Sequence, residues 1–256
     1  MAGRRTTVQD DAFVLHHYDW SESSVVLDVF TREHGRVVLL AKGAKKPTSN
    51  FRPVLLPLQP IRVSYGVNPA QEEVHGLRGA EWLGGHVMPT GDALLSGYYL
   101  NELLMRLLAR DDPHPALFAA YARTVAGLAD RERSDKQALL RAFELQLLRG
   151  TGWLPALDLQ TQTHDALQPE QAYVLVPEAG LRAAFEGNGT ALSGQQWRTL
   201  HMLLEAVGDA AAQDLLETVC AEAGSALRQQ LRHLLNYHCG VGTLRTRQMM
   251  MDLQTL

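Results

Sequence analysis

The sequence predicts an α+β protein in which a small closed β-barrel at the amino-terminal end precedes a mainly α-helical region. Residues 11–82 supply the first observation, because they hold short segments rich in Val, Leu and aromatic residues, separated by turn-forming residues. The region from residue 92 onward supplies the second, because its apolar side chains recur at helical spacing. With 256 residues, the chain is long enough to bury a substantial core without disulfides.

Five segments of the amino-terminal region are predicted strands. They cover residues 12–18, 24–31, 36–41, 61–65 and 73–77. In the second segment, Val25, Leu27 and Val29 alternate with a set that is also partly apolar, which is typical of a barrel with a covered outer face. Five strands within about seventy residues fit a barrel of the OB type, and an SH3-like barrel is the alternative.

The region after residue 83 is divided by an irregular lobe rich in Pro and Gly. Helices are predicted over residues 92–110, 115–128 and 134–149 before the lobe, and over 193–207, 208–220, 225–238 and from 243 onward after it. The predicted domains are therefore an OB-fold domain (1–83), the first part of a helical domain (84–153), the small lobe (154–192) and the second part of the helical domain (193–256).

One stretch of the predicted barrel is strongly basic. Its seven cations are Arg32, Arg36, Lys42, Lys45, Lys46, Arg52 and Arg62, and only Glu33 opposes them. Three of the four lysines in the whole chain stand within five positions of one another, after the third predicted strand. Because the net charge is -4, a local cationic surface of this kind predicts a phosphate-bearing partner. The alternative is a solvated loop whose charges keep it soluble.

Several other functions find no support in the sequence. Two cysteines cannot build a disulfide framework, and neither a signal peptide nor a membrane-spanning apolar run is visible, so a cytoplasmic location without membrane contact is expected. The phosphate-cradling G-K-[ST] core, H-E-x-x-H and G-x-S-x-G are absent. His233, His238 and Cys239 are poorly spaced for a shared metal, so no catalytic residue and no metal ligand is assigned.

Motifs along the whole chain resemble one bacterial family. They are A-F-V-L-H, S-E-S-S, L-D-V-F-T-R-E-H-G-R-V-V-L-L-A-K-G-A-K-K, L-L-P-L-Q-P, Y-Y-L-N-E-L-L, R-A-F-E, G-T-G-W-L-P and the terminal L-R-T-R. In order and spacing they resemble RecO, the recombination mediators of bacteria. The resemblance implies an OB fold, a helical domain and a lobe that holds zinc through four cysteines in many members. Gln160, Thr161, Gln162 and Thr163 stand where a C-x-x-C pair is expected here, so we expect a lobe without zinc and no cofactor.

The resemblance also implies a function without catalysis. Members of the family bind single- and double-stranded DNA, anneal complementary strands and, with RecR, help to load RecA onto strands coated by single-strand-binding protein. Such a protein is expected at the nucleoid. Arg36, Lys42, Lys45, Lys46 and Arg52 are the predicted DNA contacts, followed by Arg32 and Arg62, because cations that neutralise phosphates give salt-sensitive, sequence-independent binding. Phe51 and Tyr65 are either base-stacking platforms or packing residues.

A second site is implied by the family's capture of the acidic, Phe-terminated tail of single-strand-binding protein. Such capture needs cations beside an apolar pocket, for which Tyr121, Arg123 and Arg141 are the predicted residues. The alternative is that both arginines make surface ion pairs only. Two rival functions stay open, a protein-binding adaptor whose basic loop does not contact DNA and a nuclease whose carboxylates assemble only in the fold.

Overall fold

The computed structural model describes residues 6–68, 71–85, 87–130, 132–133, 135–185, 189–206 and 208–254. The chain forms two compact units, residues 1–130 and residues 131–256.

The first unit contains a closed five-stranded barrel. Its strands are β1 (Thr6–Asp19), β2 (Val25–Thr31), β3 (Gly35–Ala41), β4 (Pro60–Asn68) and β5 (Gln71–Trp82). They follow one another around the barrel in the order β1-β2-β3-β5-β4, and β4 pairs back onto β1. All pairs are antiparallel except β3 with β5. The predicted OB fold is confirmed, because this is the five-stranded closed barrel of that class.

Side chains of alternate residues fill the barrel. Val25, Leu27 and Val29 of β2 point inward with residues of the neighbouring strands, as their period of two requires. Tyr65 of β4 belongs to the same core and is 1% exposed, and Phe51 packs against it from the loop before β4. Phe51 and Tyr65 are therefore packing residues, which was the alternative to base stacking.

Two helices cover part of the barrel's outer face. They are α1 (Asp92–Leu107) and α2 (Pro115–Ala129). Phe13 of β1 and Phe30 of β2 face outward, and their rings lie 5.5 Å and 5.4 Å from the ring of Phe118 on α2. Helix α1 approaches the loop before β4 so closely that a Cβ at Gly97 would collide with the side chain of Leu58.

A buried polar network joins these helices to the barrel. The Tyr121 hydroxyl of α2 donates a hydrogen bond to Oδ1 of Asn101 on α1, at 2.6 Å. Nδ2 of Asn101 donates in turn to the carbonyl oxygen of Leu15 on β1, at 2.9 Å. Because Asn101 and Tyr121 are almost completely buried, losing either partner would leave a polar group without water.

Arg36 makes the strongest tie between the barrel and α1. Its Nε donates to Oδ1 of Asp28 at 2.6 Å, and its Nη2 donates to Oδ2 of the same residue at 3.2 Å. Its Nη1 donates to the carbonyl oxygens of Met105 and Leu108, at 2.5 Å and 3.0 Å, so that it caps the carboxyl-terminal end of α1. The guanidinium thus uses four of its five N–H donors inside the unit.

We expect Arg36→Ala to lower the free energy of unfolding of the first unit by about 3–5 kcal/mol, because it leaves the carboxylate of Asp28 buried and unpaired. Urea unfolding of the full chain measures the loss. The control is Arg52→Ala, an exposed cation, which we expect to stay within about 0.5 kcal/mol of the wild type. Equal stability of the two variants would contradict this role of Arg36.

The second unit combines helices with a small sheet. The helices are α3 (Lys136–Gly150), α4 (Gly194–Glu205), α5 (Ala210–His238) and α6 (Arg245–Gln254). The strands β6 (Ala172–Val176), β7 (Gly180–Ala183) and β8 (Leu192–Ser193) form a sheet of order β7-β6-β8 within the predicted lobe. Helix α3 packs on α5, and the fully buried Trp197 of α4 donates its indole N–H to the carbonyl oxygen of Tyr173.

Helix α5 is interrupted at Gly224. This residue has φ 51° and ψ -127°, which lies outside the helical region and favours glycine. A second helical segment begins after it, which matches the predicted helix start at residue 225. None of the helices in the described ranges is long and apolar enough to cross a bilayer.

Candidate nucleic-acid interface and a second cleft

The barrel has an open cleft of about 490 Å³ on its outer face. Strands β2, β3 and β5 form its floor, and the turn after β1 forms one side. The residues that line it are Trp20, Val26, Leu40, Lys42, Gly66, Val74, His75, Gly76, Leu77 and Arg78.

One row of outward residues on β2 explains why this part of the face is open. Phe30 lies under α2, and Asp28, two residues earlier, binds Arg36. Val26, a further two residues earlier, lies beyond the helices and lines the cleft. It pairs with Leu40 of β3, which pairs with Gly76 of β5, so that the open face continues across three strands.

Arginine and tryptophan side chains that the sequence analysis missed border this cleft. Trp20 is 68% exposed. The guanidinium of Arg78 lies over Gly66, where a Cβ would stand 2.7 Å from Nη2, and it donates a hydrogen bond to the hydroxyl of Thr7. Their positions gave a weak signal, since Trp20 follows the first predicted strand by two residues and Arg78 follows the fifth by one, but neither belongs to the basic stretch.

The basic loop after β3 is attached to the turn between β1 and β2. The backbone N–H of Lys45 donates to the carbonyl oxygen of Ser23 at 2.9 Å, and that of Gly43 donates to Oγ of Ser24 at 3.3 Å. The ammonium of Lys45 lies 2.9 Å from Oδ1 of Asp19. Lys42, the first residue after β3, lines the cleft.

The structure divides the seven predicted cations by their partners. Arg32 and Arg62 both contact the carboxylate of Asp11, at 3.8 Å and 2.9 Å, while keeping about half of each side chain exposed. Lys45 is paired with Asp19, as described above. Arg36 is only 13% exposed and holds α1, so we leave it out of the proposed DNA surface.

Three of the predicted cations keep their charge free for a ligand. Across the part of the chain that the structure describes, Lys42, Lys46 and Arg52 have no carboxylate partner, and all three side chains are exposed. Lys42 lines the cleft, and Lys46 and Arg52 follow it in the loop between β3 and β4. A cleft with both apolar side chains and a free cation suits a polyanion that also carries flat apolar groups.

A second cleft, of about 300 Å³, lies in the other unit between α3 and α5, at the interruption of α5. Its lining includes Arg141, Cys220, Gly224, Ser225 and Arg228. The side chain of Arg141 is 10% exposed and pairs with Glu144 at 2.5 Å, whereas its Nε has no hydrogen-bond partner within the described ranges. Burial raises the pKa of the Cys220 thiol, which therefore stays protonated.

The three residues predicted for tail capture are divided between the two units. Tyr121 is fully buried among the aromatic rings of the first unit, so it forms no wall of an open pocket. Arg123 lies half-buried on α2 in the same unit. Arg141 lies in the cleft of the second unit, beside Arg228. Of the three predicted residues, Arg141 lines this cleft. Arg228, which lines the same cleft, was not predicted.

Comparison with known proteins identifies the family. The model described as "Recombination protein O N terminal" matches residues 4–86, and the one described as "Recombination protein O C terminal" matches residues 88–248. "DNA repair protein RecO" of Polaromonas naphthalenivorans is 59% identical over 256 residues, covering 100% of both chains. "DNA repair protein RecO" of Variovorax paradoxus is 58% identical over 262 residues, again covering 100% of both chains. The chain belongs to the RecO family.

The two RecO models and the compact units divide the chain at different places. The models meet between residues 86 and 88, close to the predicted boundary at 83, whereas the first compact unit continues to residue 130. Helices α1 and α2 account for the difference, because they pack on the barrel and are counted with it. The other predicted boundaries stay predictions.

The lobe that carries zinc in many RecO proteins has different chemistry here. Oγ1 of Thr161 accepts a hydrogen bond from the N–H of Leu181 at 2.8 Å, and Oε1 of Gln160 accepts from that of Ala183 at 3.4 Å. The N–H of Thr161 donates back to the carbonyl oxygen of Leu181 at 2.9 Å. Amide and hydroxyl groups do not replace thiolates on structural zinc, and no cluster of three His, Cys, Asp or Glu side chains occurs in the described ranges. The residues at these positions therefore make hydrogen bonds within the lobe, and a lobe without zinc stays a prediction.

We expect Thr161→Val to destabilise the lobe by about 1 kcal/mol, because the variant keeps the side-chain volume but removes the acceptor of the Leu181 N–H. Amide hydrogen exchange at Leu181 and Ala183 measures the change, and we expect faster exchange at Leu181. A zinc chelator added to the wild type should leave both exchange rates unchanged. Protection lost on chelation, or stoichiometric zinc in the purified protein, would contradict a lobe held by these hydrogen bonds.

Proposed function

We propose that this member of a DNA repair and recombination family is a non-catalytic DNA-binding mediator. It binds single- and double-stranded DNA on the barrel, anneals complementary strands and, with RecR, helps to load RecA onto strands coated by single-strand-binding protein. Family membership shows the role in repair and recombination. The geometry of the barrel surface supports the DNA-binding step, and a cytoplasmic, nucleoid-associated location is the setting that this function needs.

The single observation that carries this proposal is the group of exposed cations without carboxylate partners in the basic stretch, of which Lys42 lines the barrel cleft. Lys42, Lys46 and Arg52 have no carboxylate partner within the described ranges, although the protein as a whole is acidic. Cations that neutralise phosphates release condensed counterions, which gives affinity without sequence preference and with strong salt dependence. Two strands screened at one surface approach each other more easily, so annealing follows without nucleotide hydrolysis.

We expect the combined variant Lys42→Gln, Lys46→Gln, Arg52→Gln to bind single-stranded DNA about 10- to 100-fold more weakly at low salt. The slope of log affinity against log salt should flatten by about 2, since each phosphate contact on a single strand contributes about 0.7. Fluorescence anisotropy with an oligothymidylate measures both quantities.

The matched control for this experiment removes three cations from the second unit, in the combined variant Lys136→Gln, Arg182→Gln, Arg198→Gln. It changes the net charge equally and should bind as the wild type does. Equal losses in the two triple variants would show a general charge effect and contradict a local DNA surface. A wild-type chain without DNA affinity would favour the adaptor function, and cleavage of DNA with Mg²⁺ would favour the nuclease; we expect neither.

We propose further that the cleft of the second unit binds the acidic tail of single-strand-binding protein. Arg141 supports this proposal because it is nearly buried, lines the cleft and keeps Nε without a hydrogen bond. Arg228 adds a second, exposed cation at the same cleft, and the helical segment that begins after Gly224 directs its positive dipole end there. A carboxylate held by two arginines gains charge-assisted hydrogen bonds.

We expect Arg228→Glu to weaken binding of an acidic, Phe-terminated peptide by at least about 10-fold, through lost attraction and new repulsion. Arg228 is exposed, so the variant should fold normally, and its affinity for oligothymidylate should stay unchanged. Arg123→Glu serves as the control in the first unit. Loss of peptide binding in that control, with normal binding by Arg228→Glu, would move the site to the first unit and contradict this proposal.

A further inference from the structure

A row of exposed aromatic side chains borders the barrel cleft. Tyr18 lies on β1 and is 51% exposed, and Trp20 directly follows the strand and is 68% exposed. The ring of His16 meets that of Tyr18 edge-on, with centroids 4.5 Å apart. These three residues, His16, Tyr18 and Trp20, are called the aromatic row below.

Strand pairing places the aromatic row on the open part of the outer face. Tyr18 pairs with Val26, which lines the cleft, and Trp20 lines the cleft itself. His16 pairs with Asp28, the next outward residue of β2 toward the covered part. A register shift between Val14 and His16 marks the place where β1 passes from the covered to the open part.

The chemistry of the row differs from that of the basic loop. Burial and the neighbouring His17 lower the pKa of His16, against the opposing effect of Asp28, so its ring is neutral at pH 7. The indole of Trp20 carries no titratable group. The row therefore presents flat ring surfaces, whereas Lys42, which lines the same cleft as Trp20, presents a positive charge.

Exposed aromatic surface of this extent is expensive in water, at about 25 cal/mol for each Å² left unburied. Single exposed apolar residues are common, but a contiguous group beside free cations marks a binding surface. Trp82 on β5 offers a comparison, because it is 58% exposed and yet lies outside the cleft.

We propose that the aromatic row stacks on unpaired bases and makes the barrel face prefer single-stranded over double-stranded DNA. This inference rests on the proposed DNA-binding function. Phosphates are accessible in single-stranded and in double-stranded DNA, so the cations of the basic stretch contact either form. Bases in a duplex are already stacked and paired, and only those of a single strand turn toward protein rings. The rings of His16 and Tyr18 are in edge-on contact, so the two together offer one stacking platform, and Trp20 offers another.

The experiment compares Tyr18→Ala and Trp20→Ala with the wild type, using an oligothymidylate and a duplex of equal length. We expect each variant to lose about 10- to 100-fold in single-strand affinity, in line with the stacking contribution of one base. Duplex affinity should stay within about twofold, and the salt slope on single strands should not change because no phosphate contact is lost. Trp20→Phe should recover most of the lost affinity.

Trp82→Ala is the matched control, since it removes an equally exposed indole elsewhere on the barrel. It should bind both DNAs as the wild type does. Equal losses on single strands and duplex, or no loss at all in Tyr18→Ala and Trp20→Ala, would overturn the stacking inference while leaving DNA binding through the cations intact. A wild-type chain that binds neither DNA would instead overturn the proposed function, and the inference with it.

Discussion

The contact between Arg36 and Asp28 organises the first unit. It lies on the outer face of the barrel, and the same guanidinium binds the last carbonyl groups of α1, so that the helix end is fixed to the strands. A buried ion pair with satisfied donors is hard to break from one side, because the remaining charge would stay buried. On one side of this pair the helices cover Phe30, and on the other side Val26 is open to a ligand.

The open part of the barrel's outer face carries two kinds of surface. The basic loop contributes charge, and ion pairing leaves Lys42, Lys46 and Arg52 as its effective cations. The aromatic row contributes flat ring surface beside the same cleft. Charge gives affinity that depends on salt, whereas rings distinguish unpaired from paired bases. The proposed binding and annealing of strands would use both properties.

Much of the fold follows from local sequence patterns, but the functional surface does not. Alternating apolar residues and helical stripes predicted the five strands, α1, α2 and α3, because these periods are local. Arg36 and Lys42 look alike in sequence, and only the distant Asp28 and α1 separate a structural cation from a free one. Tyr65 was considered for stacking and is core, whereas Trp20 was not considered and is exposed. Whether such an aromatic side chain is buried depends on which strands become neighbours, and the local sequence period does not encode that pairing.

Hydrogen exchange of the full chain, with and without an oligothymidylate, shows whether DNA binds the open part of the barrel face. We predict slower exchange upon binding for residues 16–20, 40–46 and 74–78, which border the cleft. Residues 28–30 and 36, already held under α1 and α2, should not change. Protection confined to the second unit, with none around the cleft, would contradict the account.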